Sequence, residues 1–266
     1  MLKKSSSSRQ LSVAPSAILS HILPPSLAPS SDSLPLPRLI VFDLDYTLWP
    51  FWVDTHVTPP LKPNSTHSAA ADRYGEDYTF YSDVPSILQA LPQLSSSSLP
   101  SSSPSSADTT IKNSNNGSSS NDISSSPRVK LAVASRTCAP SLARELLKML
   151  HLQPLAALAH TKTGGSATGG SGAGGSSSKD EKPRRAIDAF EGGLEIYPSS
   201  KIRHFEALHK RTGIPYEDML FFDDEARNRD TESLGVTMWL VRDGVTWTEI
   251  EKGVAEWRKR RGYKAA

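Results

Sequence analysis

The sequence predicts an α/β protein: a three-layer, Rossmann-like parallel sheet with helices on both faces. Short apolar runs recur along the chain, each ending in a polar residue, as buried parallel strands do. Amphipathic stretches of helical period lie between them. Strands that alternate with helices imply a parallel sheet covered on both sides. Polar tracts dilute the pattern and hold the hydrophobic content of the 266 residues to 37%, below the globular norm. Residues 1–37 are rich in Ser and Pro, with Lys3, Lys4 and Arg9 but no carboxylate before Asp32. Residues 95–127 run through Ser95–Ser98 and Ser101–Ser103 to Asn115, Asn116 and Gly117. Residues 161–183 carry Gly164-Gly165-Ser166 and Gly174-Gly175-Ser176. Such composition buries too little apolar surface to offset the entropy of ordering. The expectation is a disordered arm over 1–37 and one domain over 38–262, interrupted by disordered insertions at 95–127 and 161–183. No internal repeat is present.

The first strand is Leu39-Ile40-Val41-Phe42, ending in Asp43. The second is Lys130-Leu131-Ala132-Val133-Ala134, ending in Ser135; the third is Met219-Leu220-Phe221-Phe222, ending in Asp223-Asp224. The fourth is Thr237-Met238-Trp239-Leu240-Val241, closed by Arg242-Asp243-Gly244. Leu142, Leu146, Leu147 and Leu150 share one face of a helix near 139–151. Ile202, Phe205 and Leu208 do so near 200–212, where Gly213 is placed to end the helix. Thr246 to Arg258 reads as a last amphipathic helix, with Arg258-Lys259-Arg260-Arg261 at the end where the dipole favours cations.

Ligands of open parallel sheets bind beyond the carboxyl ends of the strands, and there the chemistry gathers. Alternation along the first strand puts Asp43 and Asp45 on one side as the chain leaves the sheet, and Asp223-Asp224 ends the third strand. Four carboxylates in one crevice do not all ionise unaided. A hard divalent cation resolves the repulsion, and all-oxygen ligation suits Mg2+. Capping of the following helices is the plainer use of such aspartates, but two acidic clusters at strand ends favour a site. Ser135-Arg136-Thr137 opens a helix, where free N–H groups and the dipole attract anions, and the Arg136 guanidinium is suited to a bidentate phosphate contact. Lys201 opens another helix, an unfavourable place for a cation unless a carboxylate or phosphate lies near.

These residues resemble the four motifs of the haloacid-dehalogenase superfamily: Asp43-x-Asp45-x-Thr47, Ser135, Lys201 and Asp223-Asp224. The run Val41-Phe42-Asp43-Leu44-Asp45-Tyr46-Thr47-Leu48-Trp49-Pro50-Phe51-Trp52-Val53-Asp54-Thr55-His56-Val57 resembles the magnesium-dependent phosphatase-1 family nearly residue for residue. So do Ala134-Ser135-Arg136-Thr137, Glu195-Ile196-Tyr197-Pro198-x-Ser200-Lys201 and Phe221-Phe222-Asp223-Asp224-Glu225. The resemblance covers 38–94, 128–155 and 190–262. It implies a Mg2+-dependent phosphomonoesterase with Asp43 as nucleophile and Asp45 as general acid and base. It also implies metal ligation by Asp43, the Asp45 carbonyl and Asp224, phosphate binding by Ser135, Arg136 and Lys201, a catalytic role for Lys201 in neutralising the nucleophile and the transferring group, and supporting roles for Asp223 and Thr47. The roles of Asp223 and Asp224 are exchangeable at this point. The substrates implied are phosphotyrosine proteins and sugar phosphates of the phosphofructosamine kind. The low-complexity insertions lie where larger relatives place cap domains, so a capless, open site is expected, covered by an aromatic flap at Trp49–Trp52.

Cys138 and Arg144 match the Cys-x5-Arg spacing of cysteine-dependent tyrosine phosphatases, but Ala139-Pro140-Ser141-Leu142-Ala143 lacks glycine, and Pro140 removes an N–H donor. A non-catalytic phosphate-binding scaffold is the remaining alternative; loss of Asp43, Asp45 or Lys201 would mark it, and all three are present. His56, His204 and His209 read as packing or surface residues. Lys and Arg total 30 against 28 Asp and Glu, a net charge of +2, and no long basic run marks a nucleic-acid partner. No apolar run approaches the ~20 residues of a membrane helix. A single cysteine excludes a disulfide framework. A cytoplasmic monomer is expected, with a mitochondrial presequence in the acid-poor arm as the alternative address.

Overall fold

The computed structural model describes residues 15–28, 34–96, 127–155, 157 and 182–264. A four-residue strand, β1 (Leu39–Phe42), runs through the centre with every residue buried. The chain then makes α2 (Val53–His56), a small antiparallel sheet of β2 (Lys62–Pro63), β3 (Ala70–Ala71) and β4 (Asp77–Tyr78), and α3 (Val84–Ala90). It returns as β5 (Lys130–Ser135), followed by α4 (Pro140–Met149) and the pair β6 (His151–Leu152) and β7 (Arg184–Arg185). β8 (Gly193–Ile196), α5 (Lys201–Thr212), β9 (Met219–Asp223), β10 (Thr237–Leu240) and α6 (Trp247–Arg260) complete the series. The main sheet is five-stranded and wholly parallel, in the order β10-β9-β1-β5-β8.

Both faces are covered. Ile40, Phe42, Leu131, Val133, Leu220 and Phe222 pack on the side of α3, α4 and α6, with Leu146 and Val254 among their neighbours. Leu39, Val41, Ala132 and Phe221 face Phe205 and Leu208 of α5. Alternate residues of each strand thus feed opposite layers, as the sequence predicts. The helix boundaries follow local chemistry. Pro140 opens α4, Thr246 caps α6 by accepting from the Glu249 N–H at 3.2 Å, and Gly213 ends α5 at φ 66°.

Three features go beyond these expectations. The segment 1–37 is not wholly an unstructured arm, because Pro15–Ile22 forms a helix, α1, followed by a 3-10 turn at Pro25–Leu27. Leu19, Ile22, Leu23 and Leu27 bury against the main core, an apolar stripe that the surrounding Ser and Pro hide in a compositional average. Second, β8 is a fifth strand that the apolar-run criterion misses, since Glu195 lies within it. Third, Arg258 lies in the last turn of α6 as expected, and its guanidinium also donates to the carbonyls of Pro35 and Leu34, both at 2.9 Å. Most of 95–127 and 161–183 lies outside the described residues. At the near edge, Ser96 N–H donates to the Pro127 carbonyl at 2.7 Å.

Candidate active site

The carboxyl ends of β1, β5 and β9 open on one polar pocket, lined among others by Asp43, Asp45, Ser135, Arg136, Lys201 and Asp224. The strand alternation expected to align Asp43 with Asp45 stops at Phe42. Beyond it the Leu44 carbonyl accepts from the N–H groups of Thr47 and Leu48, and Tyr46 sits at φ 52°. A turn, not an extended strand, brings the two aspartates to the same pocket, at the cost of a left-handed tyrosine. Asp43 N–H is pinned by the Phe222 carbonyl at 2.9 Å.

Lys201 is 1% exposed and is the central cation. Its Nζ lies 2.6 Å from Asp43 Oδ1 and 2.9 Å from Asp223 Oδ2, and it also donates to the Ala134 carbonyl. Burial opposes the Lys201 charge, but Asp43 and Asp223 outweigh it and hold the ammonium above the ordinary lysine value. Asp223 faces away from solvent, taking Asn228 Nδ2 at 2.9 Å on both oxygens and Glu225 N–H at 2.7 Å. Asp224 instead lines the pocket. The neighbouring pair thus divides, one carboxylate toward the lysine and one toward the opening.

Asp45 Oδ1 accepts from Trp49 Nε1 at 2.7 Å and from Val53 N–H at 3.2 Å. Burial pushes its carboxyl up to about 6 against these donors. Burial, with Asp223 beside it, also raises Asp224 to about 6. Asp43 is held well above the usual carboxylate range, chiefly by burial, although Lys201 pulls it down. Ser135 is buried, and Thr137 N–H reaches its Oγ at 3.4 Å. Arg136 is exposed, with its nearest partner Asn228 Oδ1 at 3.5 Å. Thr47 is buried, and its Oγ1 has no partner among the described residues.

Asp54 stands in the family-like run with no role given to it, and Arg227 lies outside the motifs, yet both line the pocket. Arg227 is held by a two-point ion pair with Glu225, and Asp54 Oδ2 accepts the Cys138 N–H at 3.2 Å. Trp52, half exposed, packs edge-on against Tyr46 at 5.1 Å and over His56 at 5.6 Å. Cys138 and Arg144 do not line the pocket, and the Arg144 guanidinium is spent on the Leu194 carbonyl at 2.8 Å. The Cys-x5-Arg spacing therefore builds no phosphate loop here.

Asp43, Asp45 and Asp224 offer only oxygen donors, and Lys201 offsets no more than two of the carboxylates around it. Burial first, and the neighbouring carboxylates second, raise the proton affinities of all three, and a hard divalent cation would offset both effects. Among the described residues no three His, Cys, Asp or Glu side chains by themselves form a metal-holding group. A cation held here would draw further ligands from backbone oxygens and water, in keeping with the sparse protein ligation usual for magnesium.

Fold and site together define a hydrolase of the haloacid-dehalogenase type. The acid phosphatase family model matches residues 35–260, and the chain belongs to that family. It is 34% identical over 206 residues to a HAD-like hydrolase superfamily protein of Schizosaccharomyces pombe, covering 77% of this chain and 86% of that one. Identity to magnesium-dependent phosphatase 1 of Homo sapiens is 33% over 225 residues, 84% of this chain and 89% of the relative. A putative magnesium-dependent phosphatase of Saccharomyces cerevisiae is 29% identical, with 79% and 92% covered.

Proposed function

We propose that the protein is a Mg2+-dependent phosphomonoester hydrolase working through an aspartyl-phosphate on Asp43. The observation that carries this reading is the division of roles between two aspartates two residues apart. Burial raises both carboxyls, but only Asp43 has a cation against it, the Lys201 ammonium at 2.6 Å, which favours its ionised form. The hydrogen bonds to Asp45 come instead from neutral donors, Trp49 Nε1 and the Val53 N–H. A nucleophile has to be ionised, and an acid has to be able to keep a proton near neutrality.

Asp43 Oδ attacks phosphorus as the bond to the leaving oxygen breaks, and Asp45 gives its proton to that oxygen. Asp45 then takes a proton from water, whose oxygen displaces Asp43 and releases inorganic phosphate. Ser135, Arg136 and Lys201 bind the non-bridging oxygens, and donors placed for developing charge are worth several kcal/mol, about 10²–10³ in rate for each removed. Asp43, Asp224 and the Asp45 carbonyl would hold magnesium, which supplies positive charge against the repulsion between carboxylate and phosphate. The half-exposed Trp52 at the mouth supports a leaving group with a ring, and the reading extends to phosphotyrosine proteins and sugar phosphates. Cytoplasm is the compartment we propose.

Release of phosphate from an aryl phosphate, dependent on Mg2+ and abolished by EDTA, is the expected activity. Asp43→Asn should remove it; retained turnover in that variant overturns the reading. Comparing kcat/KM for phosphotyrosine peptides and phosphorylated sugars assigns the substrate.

A further inference from the structure

His204 lies one turn beyond Lys201 on α5, is fully buried, and takes no part in the chemistry above. Its Nε2 is 3.1 Å from the Tyr197 carbonyl, and a carbonyl only accepts, so the proton sits on Nε2. Tyr197 N–H in turn donates to the Ser135 carbonyl at 3.1 Å. The Tyr197 ring closes edge-on against the imidazole at 4.4 Å. Nδ1 is buried and has no partner among the described residues. A buried acceptor without a donor is costly, and a phenylalanine would fill this space without that penalty. Packing alone therefore does not account for the histidine, while a donor aimed at Tyr197 does. Burial, aided by the Lys201 charge, holds its pKa down to about 4, so the ring is neutral at pH 7 and keeps one tautomer.

We propose that His204 is a positioning residue for the phosphate-binding edge of the site. Its Nε2–H braces Tyr197, and Tyr197 braces Ser135, so that α5 and the ends of β5 and β8 hold one spacing. Lys201 and Ser135, which approach phosphate from different elements, are thereby fixed relative to each other. The inference rests on the phosphatase reading of the same pocket.

The test is calorimetric binding of inorganic phosphate to the full chain in Mg2+. His204→Phe should weaken it by about tenfold, the size of one lost buried hydrogen bond. His204→Gln, whose amide nitrogen can reach the Tyr197 carbonyl, should restore most of the affinity. An unchanged affinity in His204→Phe overturns the proposal, as does a glutamine variant no better than phenylalanine. Wild-type protein that binds no phosphate overturns the phosphatase reading first, and this inference with it. Nitrogen NMR of the wild-type imidazole provides a check that needs no variant to fold. The Nε2–H tautomer at pH 7 supports the proposal, and an Nδ1–H or doubly protonated ring overturns it.

Discussion

Lys201 joins Asp43 and Asp223 from within a space almost closed to water, so its removal acts on both stability and chemistry. Lys201→Met strands two buried carboxylates, and breaking a buried pair by removing one partner costs about 3–5 kcal/mol. The variant should unfold several degrees below wild type in EDTA and lose at least about 10²-fold in phosphate release. Equal midpoints for the two proteins would contradict the pairing. Asp45 gives a second, pH-dependent test. Its proton is held to about 6 in the folded state against the ordinary 3.8. That contribution to stability is complete below about pH 4 and is lost as pH rises through about 6. His204 works in the opposite sense, since its lowered pKa favours the folded state at higher pH and loses that advantage as pH falls. The two effects separate in a comparison with Asp45→Asn in metal-free buffer. The midpoint of the variant relative to wild type should rise between about pH 4 and 6 and level off above; a flat difference across that window would contradict a raised Asp45. Asp43, Ser135, Lys201 and Asp224 could be placed at the pocket from the sequence because each ends or directly follows a strand or opens a helix. Asp45 could be placed there because it lies only two residues beyond Asp43, although by a turn rather than by strand alternation. Asp54, Arg227 and His204 could not, because their places depend on how loops and α5 fold back, which no short spacing encodes.

The inner strands β1, β5 and β9 could be read directly, since burial on both faces demands continuous apolar runs, and the edge strand β10 because Met238-Trp239-Leu240 is itself an apolar run. β8 lies at the sheet edge, begins at Gly193 and carries Glu195, whose carboxylate is paired to Arg211 at 3.0 Å. The glycine and the carboxylate, more than an edge position that β10 shares, break the apolar trace of β8. The two-residue strands β2, β3 and β4 fall below any periodic signal. α1 was lost for a different reason: averaging composition over 37 residues hid four buried leucines and isoleucines. Its docking has a measurable consequence. Leu23→Ala should lower the stability of the full chain by about 2 kcal/mol, the low end for a buried leucine. A free arm would give no change in the denaturation midpoint.

On the scale of the molecule, the first low-complexity segment leaves the domain at a hydrogen-bonded neck. Ser96 N–H and Oγ both bond the Pro127 carbonyl, at 2.7 and 2.9 Å, and Val129 N–H bonds the Leu94 carbonyl at 3.0 Å. The second leaves beside the antiparallel pair β6 and β7, where His151 faces Arg185. Closing a loop costs only about 0.6 kcal/mol more for each doubling of its length, so such necks tolerate insertions without disturbing the sheet. Replacing residues 97–126 with a short Gly/Ser linker should leave the unfolding midpoint and aryl-phosphate turnover within about twofold of wild type. A large loss of turnover with an intact midpoint would instead give that segment a part in the reaction.

The ion pair between Asp43 and Lys201 spans 158 residues of sequence, and this separation bears on how the protein is born. At about 5–20 residues per second, a ribosome delivers the lysine roughly 8–30 s after the aspartate. During that interval β1 has neither its cation nor its β9 neighbour, and its apolar residues stay available to other chains. Nascent protein is thus most exposed to misassembly in the middle of its own synthesis, and each added low-complexity residue lengthens the wait.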